Sequence, residues 1–220
     1  ITAAMQAPVG LNLLSEAYPQ RVIDVGIAEQ HALTMAAGMA FAGMHPVVAL
    51  YATFLNRAYD QLLMDVAMHR APVTVVLDRA GITGADGASH NGMWDIAMAA
   101  MIPGMCLAAP RDEATLRSQL RQAVAIDDGP SLVRYRKGSM PAPIEALESL
   151  EGMDWLYRSH KQGAGKRVLL VAAGAMAEPM LAAAAQLEAL GYVPDVIDPC
   201  WLLPINPALV ELTRGYDLVV

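Results

Sequence analysis

The chain has 220 residues, 55% of them apolar and 17% charged, with a formal net charge of -7 at neutral pH. That composition suits a globular protein of one or two domains with a sizeable core. It argues against a general nucleic-acid or anionic-membrane surface, though not against a local basic pocket for a phosphate.

No stretch reads as a signal peptide or membrane span. Cys106 and Cys200 lack zinc or CxxC spacing and are expected to be free thiols in a cytosolic, cytoplasmic protein. The chain opens at Ile1 without an initiator Met and closes on the strand-like run Tyr216 to Val220, so it is expected to be a piece of something longer.

In chain order, a short helix is expected over Leu11–Ala17 and a strand over Val22–Val25. Ala28–Ala42 reads as a helix apolar on nearly every face, which places it inside the protein. Pro46–Tyr51 is a strand and Thr53–His69 a helix with Leu55, Tyr59, Leu62 and Val66 along one stripe. Val73–Leu77 is a run rich in β-branched residues, typical of a parallel strand buried on both faces. A long glycine-punctuated loop follows, Asp78–Gly92, then a short helix, Trp94–Met101. Cys106–Ala109 and Ser131–Tyr135 are strands flanking a helix, Asp112–Ile126.

Residues 139–165 break the pattern and read as a linker with some helix around Ile144–Leu150. The alternation then resumes: strand Arg167–Ala172, helix Ala177–Leu190, strand Val193–Ile197, helix Pro207–Arg214 and a strand from Leu218. Repeated βα units with buried strands predict an α/β fold, a three-layer sandwich with a mostly parallel sheet, over residues 1–138. Part of a second α/β domain is expected over 166–220.

In such sheets ligands sit outside the carboxyl ends of the strands. Glu29, Tyr51, the Asp78–Gly92 loop and the segment Arg134–Gly138 all fall at or just past expected strand ends, which points to one shared site. Glu29 stands at the mouth of the apolar helix, where a carboxylate is costly unless paired or protonated. The structural alternative is a carboxylate that complements the helix dipole. Arg134 follows apolar Leu132-Val133 and would be costly there unless it faced an anion. Arg136 and Lys137 read as solvated rim charges. Phe54 is either core packing or a stacking face for an aromatic ligand. His90 lies in the glycine-rich loop with Asp86 four residues away, and such loops close over substrates. Gly81 to Gly87 resembles a phosphate loop but is not GxGxxG. Ala85-Asp86-Gly87 imitates half of a metal-diphosphate motif without its downstream Asn, so no metal ligand is assigned in this chain.

The blocks DVGIAEQHALTMAAGMAFAGMHPVVALYATFLNRAYDQLLMDVA, DRAGITGADGASHNGMWD, DDGPSLVRYRKG and VIDPCWLLPI closely resemble the 1-deoxy-D-xylulose-5-phosphate synthase family, which is transketolase-like and thiamine-diphosphate dependent. The resemblance implies a pyrimidine-binding domain over 1–138 and the first part of a C-terminal domain over 166–220. The diphosphate-binding domain and its Mg2+ ligands would lie outside this chain. It implies that Glu29 hydrogen-bonds a ring nitrogen of the cofactor's aminopyrimidine and that Phe54 stacks on that ring. Arg57 would belong to the same network. Tyr51, Arg79 and Arg134 would hold the phosphate of D-glyceraldehyde 3-phosphate, a task that suits planar guanidinium groups. Asp86 and His90 would serve pyruvate binding and loop closure, and the enzyme would be a homodimer. One departure is Arg136, where the family usually has Pro. Two alternatives stay open: the beta subunit of a 2-oxo acid dehydrogenase, and a non-catalytic fragment that only packs against a partner.

Overall fold

The computed structural model describes residues 1–160 and 165–220, and the chain divides into two compact units. The first comprises Ile1–Ala108 and Leu120–Ser139, the second Ala109–Gln119 and Met140–Val220.

In the first unit, strands β1 (Val47–Tyr51), β2 (Thr74–Asp78), β3 (Cys106–Ala108) and β4 (Ser131–Arg134) run parallel in the spatial order β1-β2-β4-β3. Residues on both faces of these strands are buried, which is why they read as unbroken apolar runs rather than alternating ones. The helices are α1 (Asn12–Ala17), α2 (Glu29–Phe41), α3 (Tyr59–Gln61), α4 (Asp95–Ala100) and α5 (Glu113–Val124), the last of which contributes to both units. Leu33, Leu50, Leu55, Leu62, Val66, Leu77, Leu107 and Leu132 are fully buried.

Three expectations for this unit need correction. Val22–Val25 forms no strand; Asp24 makes only an isolated bridge to Thr2, which also bridges Ala49. The helix expected over Thr53–His69 is one helical run of changing pitch. A 3-10 turn, Ala52–Ala58, leads into α3, and a π-turn, Leu62–Ala67, follows. Helix α2 is not buried on all sides. Glu29, Ala32, Leu33, Ala36, Ala37 and Ala40 face inward, and the small alanines let α2 pack against the π-turn. Gln30, His31, Thr34, Gly38 and Phe41 are exposed on the other side.

The second unit has a mixed sheet of β5 (Glu148–Leu150), β6 (Met153–Arg158), β7 (Arg167–Val171), β8 (Val193–Asp198) and β10 (Leu218–Val219), in the order β10-β7-β8-β6-β5. A short strand β9 spans Trp201–Leu203. Strands β10, β7 and β8 are parallel; β6 is antiparallel to β8 and β5 to β6. Helix α6 (Ala177–Ala189) packs on one face over Val168, Leu170 and Val196. Helix α7 (Pro207–Thr213) packs on the other over Met153, Trp155, Leu169 and Ile197.

The hairpin β5-β6 lies where a linker with some helix was expected. Its turn residues Glu151 and Gly152 both have positive φ, +53° and +79°, the requirement of a two-residue turn matched to strand twist. Residues 161–164 of the expected linker lie outside the described residues. Within the same unit Arg111 is buried with its guanidinium 2.7 Å from Asp154 and 2.8 Å from Asp198, and its Nε donates to the Ile144 carbonyl at 3.0 Å. No helix among the described residues is long and apolar enough to cross a membrane.

Candidate active site at the carboxyl ends of the first sheet

Parallel register puts the ends of three strands side by side. Tyr51 pairs with Asp78, and Leu77 with Arg134, so β1, β2 and β4 finish at one level. The 3-10 turn begins directly after Tyr51. At three residues per turn, residues three apart eclipse one another, so Tyr51, Phe54 and Arg57 form a column. Tyr51 and Phe54 are stacked, with ring centroids 5.6 Å apart and planes 11° from parallel. The Arg57 guanidinium lies 5.9 Å from the Phe54 centroid.

Arg57 also joins this column to Glu29, its Nη1 lying 3.5 Å from Glu29 Oε2. Glu29 is only 2% exposed, in the first turn of α2. Among the described residues, that long contact is the sole polar partner of its side chain. One long contact to a half-solvated arginine leaves most of this carboxylate's acceptor capacity unused, so it is under-satisfied.

The other end of the column is basic. The Arg79 guanidinium lies 3.8 Å from the Tyr51 centroid. Its backbone is left-handed, φ +61°, and Asp78 holds it there: Asp78 Oδ1 accepts from the Arg79 amide at 2.6 Å and Oδ2 from Nη1 at 2.8 Å. Burial pushes the Asp78 carboxyl up, opposed by Arg79. Burial also raises the Tyr51 phenol, which stays neutral. Arg79 Nε is buried without a hydrogen-bond partner, 3.5 Å from Asp86 Oδ2. Lys137 Nζ donates to the same Oδ2 at 2.7 Å, and this hydrogen bond holds the Asp86 carboxyl below its usual range.

The glycine-rich loop folds back over the column. Its base is closed by a reciprocal backbone pair, Gly81 N to Gly92 O at 2.9 Å and Gly92 N to Gly81 O at 2.8 Å. Thr53 Oγ1 donates to the Ser89 carbonyl at 3.0 Å, and the His90 ring meets the Phe54 edge, centroids 5.7 Å apart.

Glu29, Arg57, Phe54, Tyr51, His90, Arg79 and Asp86 are therefore linked by direct contacts. Arg134 is not in that chain of contacts. Its side chain turns to Asp95, with Nε donating to Oδ2 at 2.7 Å. The anion required by its position is thus supplied from inside the protein. Lys137, read from sequence as a solvated rim charge, is in fact paired. The sequence places Asp78 and Lys137 here only as members of their segments, with no role of their own, and gives no sign of Asp95. Only the spacing of three in Tyr51, Phe54 and Arg57 was available to show a column. Among the described residues no group of three or more His, Cys, Asp or Glu side chains could hold a metal ion.

This α/β arrangement is that of the transketolase fold. A split-gene transketolase, described as an inactive beta4 tetramer, superposes with a TM-score of 0.77 at 31% identity, covering 94% of this chain and 66% of that one. Transketolase from Campylobacter jejuni superposes with a TM-score of 0.77 over 98% of this chain and 33% of its own, and at 19% identity this is a likeness of fold. The chain belongs to the transketolase family: the family model "Transketolase, pyrimidine binding domain" matches residues 1–143 and "Transketolase, C-terminal domain" matches residues 158–220. It is 57% identical over its full length to the 1-deoxy-D-xylulose-5-phosphate synthase of Frankia casuarinae and 58% identical to that of Renibacterium salmoninarum. It spans about a third (34%) of the length of each of these relatives.

Proposed function

We propose that this chain supplies the pyrimidine side of the cofactor site, and the aldehyde phosphate site, of a thiamine-diphosphate-dependent 1-deoxy-D-xylulose-5-phosphate synthase. Such an enzyme joins pyruvate to D-glyceraldehyde 3-phosphate with loss of carbon dioxide. The observation that carries the reading is the under-satisfied carboxylate of Glu29 beside the Phe54 column, at the same sheet end as Arg79 and Arg134. Thiamine diphosphate, when bound, supplies the nucleophilic carbon that adds to pyruvate and stabilises the charge left by decarboxylation.

Glu29 would hydrogen-bond a pyrimidine ring nitrogen, and burial keeps water from competing for that bond. Phe54 offers the flat face on which that ring rests. Arg79 and Arg134 donate to the phosphate of the aldehyde, with Tyr51 beside them. Asp86 and His90 belong to the loop that covers pyruvate. Mg2+ would be held with the diphosphate by residues outside this chain, and the working enzyme would be a cytoplasmic homodimer. The 2-oxo acid dehydrogenase reading gains no support, since the curated relatives matching the full chain at 56–58% identity carry the synthase name.

The test replaces Glu29 with Ala in a complete synthase carrying this segment. Loss of a positioned proton-transfer group should lower turnover by about 10²- to 10⁴-fold while the far-ultraviolet circular dichroism is kept. Near-normal turnover would refute the assignment.

A further inference from the structure

Asp95 is the most completely buried carboxylate near the site, with a side chain 0% exposed, yet it is paired to a side chain at the rim. It sits at the start of α4, and Arg134 is the last residue of β4. The grip is side-on: Arg134 Nε donates to Asp95 Oδ2 at 2.7 Å and Nη2 to Oδ1 at 3.4 Å. A guanidinium has five N–H groups, and a side-on carboxylate uses two of them. The remaining three belong to its outer edge, and no other side chain among the described residues engages them. Arg134 is 14% exposed, at the strand end next to β2, whose last residue Asp78 precedes Arg79.

Two consequences follow from this geometry. An arginine has several rotatable bonds, and most of its orientations would waste the outer fork. Asp95 removes that freedom before any ligand arrives. It also cancels the arginine's net charge, so what Arg134 offers an anion is a directed pair of donors rather than a diffuse field.

We propose that Asp95 is a positioning residue that holds the Arg134 guanidinium with its outer edge toward the phosphate of the aldehyde, and so helps select a phosphorylated over an unphosphorylated aldehyde. This rests on the phosphate role proposed above for Arg134.

The experiment compares wild type, Asp95→Asn, Arg134→Ala, Arg134→Lys and the double variant Asp95→Asn/Arg134→Ala in a complete synthase carrying this segment. Steady-state kinetics are read with D-glyceraldehyde 3-phosphate, with D-glyceraldehyde and with pyruvate, and inorganic phosphate serves as a competing anion. Asp95→Asn keeps the volume but replaces one acceptor oxygen with a donor amide and removes the countercharge, so the test sets lost orientation against a gain in net positive charge. The variant should raise KM for the phosphorylated aldehyde about tenfold or more, weaken inhibition by phosphate in parallel, and leave KM for D-glyceraldehyde and pyruvate within about twofold. Arg134→Lys keeps the charge but not the fork, and should behave the same way. The double variant should be no worse than Arg134→Ala, because Asp95 acts through Arg134. A purely structural pair would instead change all three substrates alike, or leave all unchanged. That result, or effects of Asp95→Asn and Arg134→Ala that add, would overturn the role of Asp95 alone. If Arg134→Ala itself fails to separate the two aldehydes, the phosphate reading of Arg134 falls, and this inference with it.

Discussion

The glycine-rich loop owes its position to Gly92, and replacing that residue with Ala tests how tightly its base is held. A Cβ built at Gly92 would lie 2.4 Å from the Ala52 Cβ, 2.6 Å from the Arg79 carbonyl oxygen and 3.1 Å from the Ala80 Cα. The first two are about 0.8 to 1.0 Å short of ordinary contact at 3.4 Å, and two of the three atoms are backbone, which cannot rotate away. Overpacking of this kind costs about 1–3 kcal/mol. The escape route is to open the Gly81–Gly92 pair, which forfeits two hydrogen bonds worth about 1 kcal/mol each and so costs a similar amount. Either way, Gly92→Ala should reduce unfolding free energy by about 1–3 kcal/mol in urea denaturation of the 220-residue chain. Amide exchange at Gly81 should accelerate if the pair opens. Because the loop carries Asp86 and His90, the Lys137–Asp86 contact should weaken as well. Unchanged stability together with unchanged exchange at Gly81 would refute the close approach inferred here.

Arg111→Ala should destabilise the second unit by about 3–5 kcal/mol in urea, because it leaves Asp198 and Asp154 facing each other without their buried cation; a loss below about 1 kcal/mol would contradict the pairing. Burial lowers the pKa of His45 from its ordinary 6.5, opposed by Asp127, while Thr74 Oγ1 lies 2.8 Å from its Nε2. With the folded value below the unfolded one, the unfolded chain takes up the proton first as pH falls. The stability His45 contributes is therefore complete above pH 6.5 and is lost as pH falls from there through the lowered folded value. His45→Gln should flatten the acid limb of stability against pH below pH 6.5, and an unaltered limb would exclude His45 as its source.

The strands β1, β2, β3 and β4 were legible in the sequence to within a residue or two, because a strand buried on both faces writes itself as an apolar run. The same runs place the candidate site, since parallel strands share one carboxyl edge. What was not legible was pairing at a distance. Val22–Val25 has the composition of a strand, but only Thr2 reaches it, so it makes one bridge. The β5-β6 hairpin was missed because its turn is Glu151-Gly152 rather than the commoner Asn-Gly or Asp-Gly. Asp95 was invisible as the partner of Arg134, since the two are 39 residues apart and nothing local links them. Lys137 looked like a surface charge until the loop brought Asp86 to it. Helix α2 looked buried all round because alanines on its inner side and a few apolar residues on its outer side read alike without a partner to compare.

The most direct test of the Glu29 role is the exchange rate of the thiazolium proton of thiamine diphosphate in a complete synthase carrying this segment, followed by proton NMR in deuterium oxide. If Glu29 holds the proton on the pyrimidine, Glu29→Gln should slow that exchange by about 10²- to 10⁴-fold while cofactor binding by calorimetry persists. An exchange rate equal to that of the unaltered enzyme, at full cofactor occupancy, would contradict it.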